Sequence, residues 1–175
     1  MLPRTMDERT AAGYAGPMPN QRRAGLADLD ALWELRTRAI RATCTPHYPQ
    51  DVIDAWCAAP PPEKLPVLLQ AGGALVEEED GQMLGYAILN LETGELDAAF
   101  VDPAHQGRGI ARLLLAALDA MALAHGLRKL FLSSSLNAVP VYERAGYVAL
   151  RREIYPHRSG IQLESVYMEK TLPCG

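Results

Sequence analysis

The stretch from Gly94 to Gly126 constrains the fold of this chain more than any other part of the sequence. Glu95 to Val101 has the composition of a β-strand, Asp102-Pro103 ends it, and Gln106 to Ala111 forms a tight turn that contains two glycines. An apolar run at helical spacing follows at once and stops at a glycine. The sequence therefore predicts a strand, a glycine-containing turn and a helix in direct succession.

This turn has the properties of an anion site. The first N–H groups of a helix have no partner within the helix and carry the positive end of its dipole. Gly107 and Gly109 let a ligand approach the backbone without a Cβ in the way. The competing interpretation of a single Gly-x-Gly is an ordinary connection that only turns the chain. Two other phosphate loops are excluded, because no Gly-Lys-Ser/Thr occurs and Arg112 stands where the dinucleotide fingerprint has its third glycine.

Composition narrows the class of protein. A chain of 175 residues is long enough for one domain with a real core. Its formal net charge of -4 does not favour nucleic acid as a partner, and no run of about 18 apolar residues indicates a membrane span. Cys44, Cys57 and Cys174 lack the spacing of a zinc site or a disulfide framework. We therefore expect a soluble, cytoplasmic protein that binds no metal.

The N-terminal part of the chain is predicted to contain a leader without regular structure, followed by a short strand and two helices. Met1 to Pro19 contains prolines, glycines and scattered charges without periodicity, which predicts a mobile leader before a single domain at residues 20–175. Gln21 to Ala24 is a candidate first strand. Helices are predicted at Asp28 to Ala42 and at Pro49 to Ala58, the second ended by a run of three prolines.

The second half is predicted to be rich in strands. Asp80-Gly81 is a hairpin signal, and Asn137 opens a helix with Pro140 in its first turn. Further strands are predicted at Gly73–Glu78, Met83–Asn90, Lys129–Ser133, Val148–Ile154 and Leu163–Glu169. The strand from Lys129 would run parallel to the strand from Glu95 through a right-handed helical crossover. The expected fold class is α+β, a mixed sheet with helices on both faces.

The turn also fits the pattern Gln/Arg-x-x-Gly-x-Gly/Ala through Gln106, Gly109 and Ala111. With Val101-Asp102-Pro103 before it, and Asn137 and Tyr142 to Tyr147 after it, the pattern closely resembles the GNAT superfamily of N-acetyltransferases. The resemblance extends over residues 21–172 and departs from the family at Ala111, which stands in the last glycine position. It implies a three-layer α/β/α fold whose mostly antiparallel central sheet has a V-shaped splay between strands 4 and 5.

The resemblance implies acetyl-CoA as cosubstrate and no metal. Backbone N–H groups of the turn would hold the pyrophosphate, with added charge from Arg108 or Arg112, and backbone groups of Phe100 and Val101 would bond the pantetheine arm. Asn137 would hold the amide arm or merely cap a helix. The implied coenzyme-binding residues are Phe100, Val101, Gln106, Gly107, Arg108, Gly109, Ile110, Ala111, Arg112 and Asn137.

Three residues are candidates for proton transfer. By resemblance, Tyr142 would protonate the departing thiolate, while a core tyrosine is the alternative. Glu95 and Asp97 lie on one face of their strand and could accept a proton from the incoming ammonium, or they are simply exposed carboxylates.

The resemblance also indicates the acceptor side of the site. It places His47, Tyr48 and Trp56 there, against a plain packing role for Trp56 and a loop-capping role for His47. These residues, with a terminal Met-Glu-Lys strand, also resemble the bacterial YafP-like branch.

The predicted activity is direct acetyl transfer from acetyl-CoA to a primary amine of a small molecule or peptide. A non-catalytic acyl-CoA-binding or sensing module is the alternative from another class. A protein- or RNA-directed acetyltransferase is a third, and the acidic balance disfavours RNA. The sequence leaves a homodimer open.

Overall fold

The computed structural model describes residues 20–174, so the predicted leader lies outside the described residues. Strands and helices are numbered separately along the chain. They are β1 Asn20–Arg23, α1 Leu29–Thr43, α2 Gln50–Ala58, α3 Lys64–Gln70, β2 Ala74–Glu79, β3 Gln82–Leu89, β4 Leu96–Val101, α4 Ile110–Ala124, β5 Lys129–Ser135, α5 Val139–Arg144, β6 Val148–Pro156 and β7 Gln162–Thr171. Short 3₁₀ turns at Leu26–Asp28 and Pro103–His105 complete the regular structure of this part of the chain.

The strands form two sheets that meet at a single parallel bridge. The first sheet has the order β1-β2-β3-β4 and the second the order β5-β7-β6, with antiparallel neighbours throughout. Glu95 bridges Phe131, whose N–H donates to the Gly94 carbonyl at 3.1 Å. Beyond this bridge β4 and β5 are not paired. The predicted splay between strands 4 and 5 is therefore confirmed.

The β2–β3 hairpin forms where the sequence indicates it. Asp80 and Gly81 have φ values of 51° and 76°, which is the left-handed geometry of a two-residue type I′ turn. A short aspartate side chain and a glycine are the residues that tolerate this geometry best. The turn sets the register that pairs Glu79 with Gln82.

Helices cover both faces of the first sheet. Alternation along β3 directs Ala87 into one apolar cluster and Ile88 into another. Helix α4 packs Leu114 and Leu118 into the first cluster, and α1 packs Leu35 into the second. Each of these side chains is almost fully buried, so this sheet is the middle of a three-layer arrangement.

Helix α3 and the strand order of the second sheet were not predicted from the sequence. Helix α3 begins soon after the proline run and tolerates Pro66 because the first turn of a helix needs no N–H donor there. It buries Leu65, Leu68 and Leu69 against the second cluster. In the second sheet, β7 lies between β5 and β6.

None of the helices in the described range is long and apolar enough to cross a membrane.

Candidate active site

A cavity of about 770 Å³ brings most of the predicted site residues together. Its wall includes residues from both sheets, from five helices and from the loop after α1. The predicted residues that line it are Glu95, Asp97, Phe100, Val101, Gln106, Ala111, Asn137, Tyr142, His47, Tyr48 and Trp56. The other predicted coenzyme residues, Gly107, Arg108, Gly109, Ile110 and Arg112, belong to the adjacent turn and the start of α4.

The splay leaves backbone groups of β4 open towards the cavity. Asp102 donates its N–H to the Leu84 carbonyl at 2.8 Å, and two residues earlier Phe100 lies opposite Tyr86 in the same ladder. Antiparallel alternation therefore directs the N–H and C=O of Phe100 to β3, whereas those of Ala99 and Val101 point to the open edge. Phe100 lines the cavity with its side chain, and the outward peptide groups belong to Ala99 and Val101.

The glycine turn ends in a helix start with free donors. Gly107 and Gly109 both have φ of 77°, a left-handed geometry that strains any residue with a Cβ. The first bond within α4 runs from the Leu113 N–H to the Gly109 carbonyl at 3.1 Å. The N–H groups of residues 110–112 therefore have no acceptor within the helix. They form the positive end of a helix of 15 residues.

The two arginines of the turn differ in their partners. Arg108 forms an ion pair with Glu79 at 3.1 Å and contacts Nδ1 of His105 at 3.2 Å. Arg112 is exposed and forms no ion pair with any other residue between positions 20 and 174. Of the two, Arg112 is the one whose charge is available to a ligand at the helix start.

Asp102 fixes the end of β4 to helix α1. Its buried carboxylate accepts from Arg38 at 2.8 Å and from the Ala104 N–H at 2.9 Å. Burial alone would raise the pKa of Asp102, but these two donors outweigh it and hold the pKa below its ordinary value. Gln106 adds a second tie, because its side-chain amide donates to the Val101 carbonyl at 3.3 Å.

Tyr142 presents a buried phenol to the cavity. Its ring packs edge-on against Tyr147 with centroids 5.8 Å apart, and the residue is 8% exposed. Burial raises the pKa of Tyr142 to about 12. The phenol therefore keeps its proton at neutral pH, as a general acid must.

The two candidate carboxylates have different surroundings. Asp97 accepts a hydrogen bond from Lys64 in a close ion pair. Burial lowers the pKa of Lys64, but the hydrogen bond and charge of Asp97 outweigh this and raise it above its ordinary value. Glu95 forms no ion pair within the described part of the chain. Glu95 is thus the carboxylate without a competing cation.

Asn137 links the second sheet to the end of α1. Its Nδ2 donates to Thr43 Oγ1 at 3.2 Å, and its Oδ1 accepts from Cys44 Sγ at 3.3 Å. Helix α5 has Ala138 as its N-cap, so the capping role considered for Asn137 is wrong. Burial raises the pKa of the Cys44 thiol to about 11, which keeps it protonated and unreactive.

Tyr48 holds the loop after α1 in place. Its hydroxyl donates to the Glu164 carbonyl at 2.6 Å and accepts from the Leu136 N–H at 3.0 Å. Its ring meets Trp56 edge-on, with centroids 5.6 Å apart. Tyr48 and Trp56 therefore form a fixed wall of the cavity, next to the exposed His47.

The sequence profile of the acetyltransferase (GNAT) domain family matches residues 44–172. The chain belongs to the GNAT acetyltransferases. A similar protein is glucosamine 6-phosphate N-acetyltransferase of Trypanosoma brucei brucei, 28% identical over 83 residues. That match covers 42% of this chain and 56% of the curated relative, so the chain spans about half of the relative's length.

Solved structures of N-acetyltransferases share the fold. A GCN5-related N-acetyltransferase from Rhodopseudomonas palustris has a TM-score of 0.77 at 24% identity, over 89% of this chain and 96% of the other. The PaiA N-acetyltransferase from Thermoplasma acidophilum, solved with coenzyme A, has a TM-score of 0.66 at 19% identity, over 87% and 98%. The predicted GNAT fold is thereby confirmed.

The cavity of this GNAT chain also contains residues that sequence reasoning missed. Trp33 and Arg36 reach it from α1, and Tyr155, His157 and Arg158 reach it from the end of β6 and the turn after it. One of them carried a signal in the sequence. Arg36 lies on the apolar stripe of an amphipathic helix, where a charged residue is unusual.

Proposed function

We propose that this chain is an acetyl-CoA-dependent N-acetyltransferase that transfers an acetyl group directly to a primary amine. One observation carries the proposal. The open edge of β4 is followed, after the glycine turn, by the start of α4 with its free N–H groups. A protonated tyrosine lines the same cavity. A thioester that carries a pyrophosphate needs such N–H donors for its phosphates and its developing oxyanion, and an acid for its departing thiolate. The family membership supports this proposal.

The coenzyme would bind along β4 and the turn. Its pyrophosphate would accept hydrogen bonds from the N–H groups of residues 106–111, with Arg112 adding charge. Its pantetheine arm would pair with the outward peptide groups of Ala99 and Val101 as an added strand. Asn137, on the opposite side of the splay, would meet the amide arm. Coenzyme A is part of the solved PaiA structure, which supports a similar use of the shared fold.

The chemistry follows from these positions. The amine nitrogen attacks the thioester carbonyl carbon, a C–N bond forms, and a β4 N–H stabilises the oxyanion. The C–S bond then breaks, Tyr142 gives its proton to the departing thiolate, and the phenolate regains a proton from the nitrogen of the collapsing intermediate. Glu95, directly or through water, accepts the proton that the ammonium must lose. Asp97 is the second candidate for this role, but Lys64 already pairs with it.

Mass analysis of the products tests the proposal. The purified protein would be incubated with acetyl-CoA and separate panels of small amines and N-terminal peptides. We expect an acetylated amine and free coenzyme A in equal amounts, and the panel that reacts identifies the acceptor class. Binding of acetyl-CoA without any acetylated product would instead identify a sensing module.

We also propose that residues 20–175 form one domain that works in the cytoplasm. The support for the location is the state of the cysteines, since Cys44, Cys57 and Cys174 are all free thiols. The support for one domain is that α4 contributes to a core shared by both sheets.

A further inference from the structure

Arg36 is a buried cation with an incomplete set of partners. It lies on α1, lines the cavity and is 5% exposed. Its Nη2 donates to the Trp56 carbonyl at 3.2 Å, but its buried Nη1 has no hydrogen-bond partner among the described residues. No described carboxylate forms an ion pair with it. A buried charge without a counterion is costly, so a ligand is a reasonable source of the missing partner.

A second arginine lies on the same aromatic ring. The Arg36 guanidinium is 4.0 Å from the Trp33 ring centroid, and the Arg158 guanidinium is 5.9 Å from it. Both arginines line the cavity, and Arg158 also donates to the Pro60 carbonyl. Burial lowers the pKa of the neighbouring His157, and the charges of the two arginines lower it further. This part of the wall is therefore positively charged.

The carboxylates of the wall do not neutralise this region. Asp97 is paired with Lys64, and neither Glu95 nor Glu164 is within ion-pair distance of either arginine in the described structure. An ammonium group could therefore bind the carboxylates of the wall, while an anion could bind the guanidinium groups of Arg36 and Arg158.

We propose that the acceptor carries an anionic group, a carboxylate or a phosphate, in addition to its amine, and that Arg36 and Arg158 bind this group. The inference rests on the proposed acetyl transfer. Guanidinium groups suit either anion, because their N–H donors match the spacing of two oxygens. The anion would supply the acceptor that Arg36 Nη1 lacks and would place the amine in the cavity shared with Glu95.

Matched pairs of acceptors test the proposal. Glycine is compared with glycinamide, and phosphoethanolamine with ethanolamine, so that the two arms separate a carboxylate preference from a phosphate preference. We expect the anionic member of at least one pair to have the higher kcat/KM. In Arg36→Gln the ratio of anionic to neutral kcat/KM should fall by about 10- to 100-fold, the usual effect of losing a charge-assisted hydrogen bond. Arg41→Gln is the matched control, since Arg41 lies on the same helix in an exposed ion pair with Asp54.

A binding measurement covers the case in which no amine reacts. The protein saturated with coenzyme A, which fills the phosphate site of the turn, is heated with inorganic phosphate or acetate against chloride at equal ionic strength. We expect at least one of these anions to raise Tm in the parent protein and in Arg41→Gln, and to do so less in Arg158→Gln. Arg158→Gln changes an exposed turn, so it provides the test if Arg36→Gln does not fold. Equal use of neutral and anionic acceptors, no anion effect on the Tm of the parent protein, or an anion effect unchanged in Arg158→Gln would overturn the proposal.

Discussion

Tyr142 shows how one residue's surroundings decide its chemistry. Burial keeps the phenol protonated, with a pKa raised to about 12, and its place in the cavity wall would let it meet the thioester in the proposed complex. The same residue on an exposed helix face would only be a polar surface group. The general-acid role that we propose for it therefore depends on α5 holding the ring against Tyr147.

Replacing Tyr142 with phenylalanine removes the proton donor and keeps the ring. We expect kcat to fall by about 10²- to 10⁴-fold while acetyl-CoA binding stays nearly unchanged. Stopped-flow detection of free thiol and a coenzyme titration separate the two effects. Tyr147→Phe is the control, because Tyr147 is the buried neighbour of the same ring. An unchanged kcat in Tyr142→Phe would remove this residue from the acid role.

Glu95 and Asp97 can be distinguished by paired amide substitutions. Glu95→Gln should lower kcat/KM at neutral pH by about 100-fold, because a general base contributes on this scale, and higher pH should restore part of the rate. Asp97→Asn should have the smaller effect on kcat/KM, since the Asp97 carboxylate is already ion-paired with Lys64. The measurement is the pH dependence of kcat/KM for both variants. A larger loss in Asp97→Asn would reverse the assignment.

At the scale of elements, the strand–turn–helix unit would determine where the coenzyme lies in the proposed complex. β4 supplies outward peptide groups, the two glycines turn the chain, and α4 points free N–H groups back at the same place. Asp102 and Gln106 tie the turn to its neighbours, so the donors are held in place before any ligand arrives.

Gly107→Ala tests whether the shape of the turn matters for binding. A Cβ at Gly107 would meet no atom within 4 Å, so the substitution acts only through its φ of 77°. We expect a loss of about 1 kcal/mol in unfolding free energy and clearly weaker coenzyme A binding by titration calorimetry. Gly126→Ala is the matched control, with φ of 80° and equal open space near the other end of α4. Equal coenzyme affinity in both variants would contradict the role given to the turn.

For the whole molecule, the sequence predicted structure that neighbouring residues form better than it predicted contacts between distant segments. The strand, the turn and α4 follow from neighbouring residues, and the motif that carries Tyr142 is equally local. Pairings between distant segments left no such pattern, including the position of β7 between β5 and β6 and the contact of Lys64 with Asp97. The sequence shows Arg36 as a charge on an apolar helix face, but only the structure shows that its buried Nη1 has no hydrogen-bond partner among the described residues.

We expect the protein to lose stability at high pH, because three tyrosines are buried as neutral phenols. Burial raises the pKa of Tyr86, Tyr142 and Tyr147 above the ordinary value of about 10. Their contribution is complete below the unfolded-state pKa and is lost as pH rises from there towards the folded-state values. Above about pH 10 the unfolding free energy should therefore fall by more than about 1.4 kcal/mol per pH unit, the limit for one group.

Urea unfolding between pH 8 and pH 11 measures this slope. Tyr147→Phe should make it shallower, because one titrating phenol is removed while the ring stays in the core. The same slope in Tyr147→Phe and the parent protein would show that other groups cause the loss.

The most direct test of the central claim is the release of free thiol from acetyl-CoA by the purified protein, with and without an amine. The account predicts release that depends on the amine, is matched by acetylated product and is strongly reduced in Tyr142→Phe. Acetyl-CoA that binds, as shown by thermal shift, but releases no thiol with any amine or peptide would contradict the account.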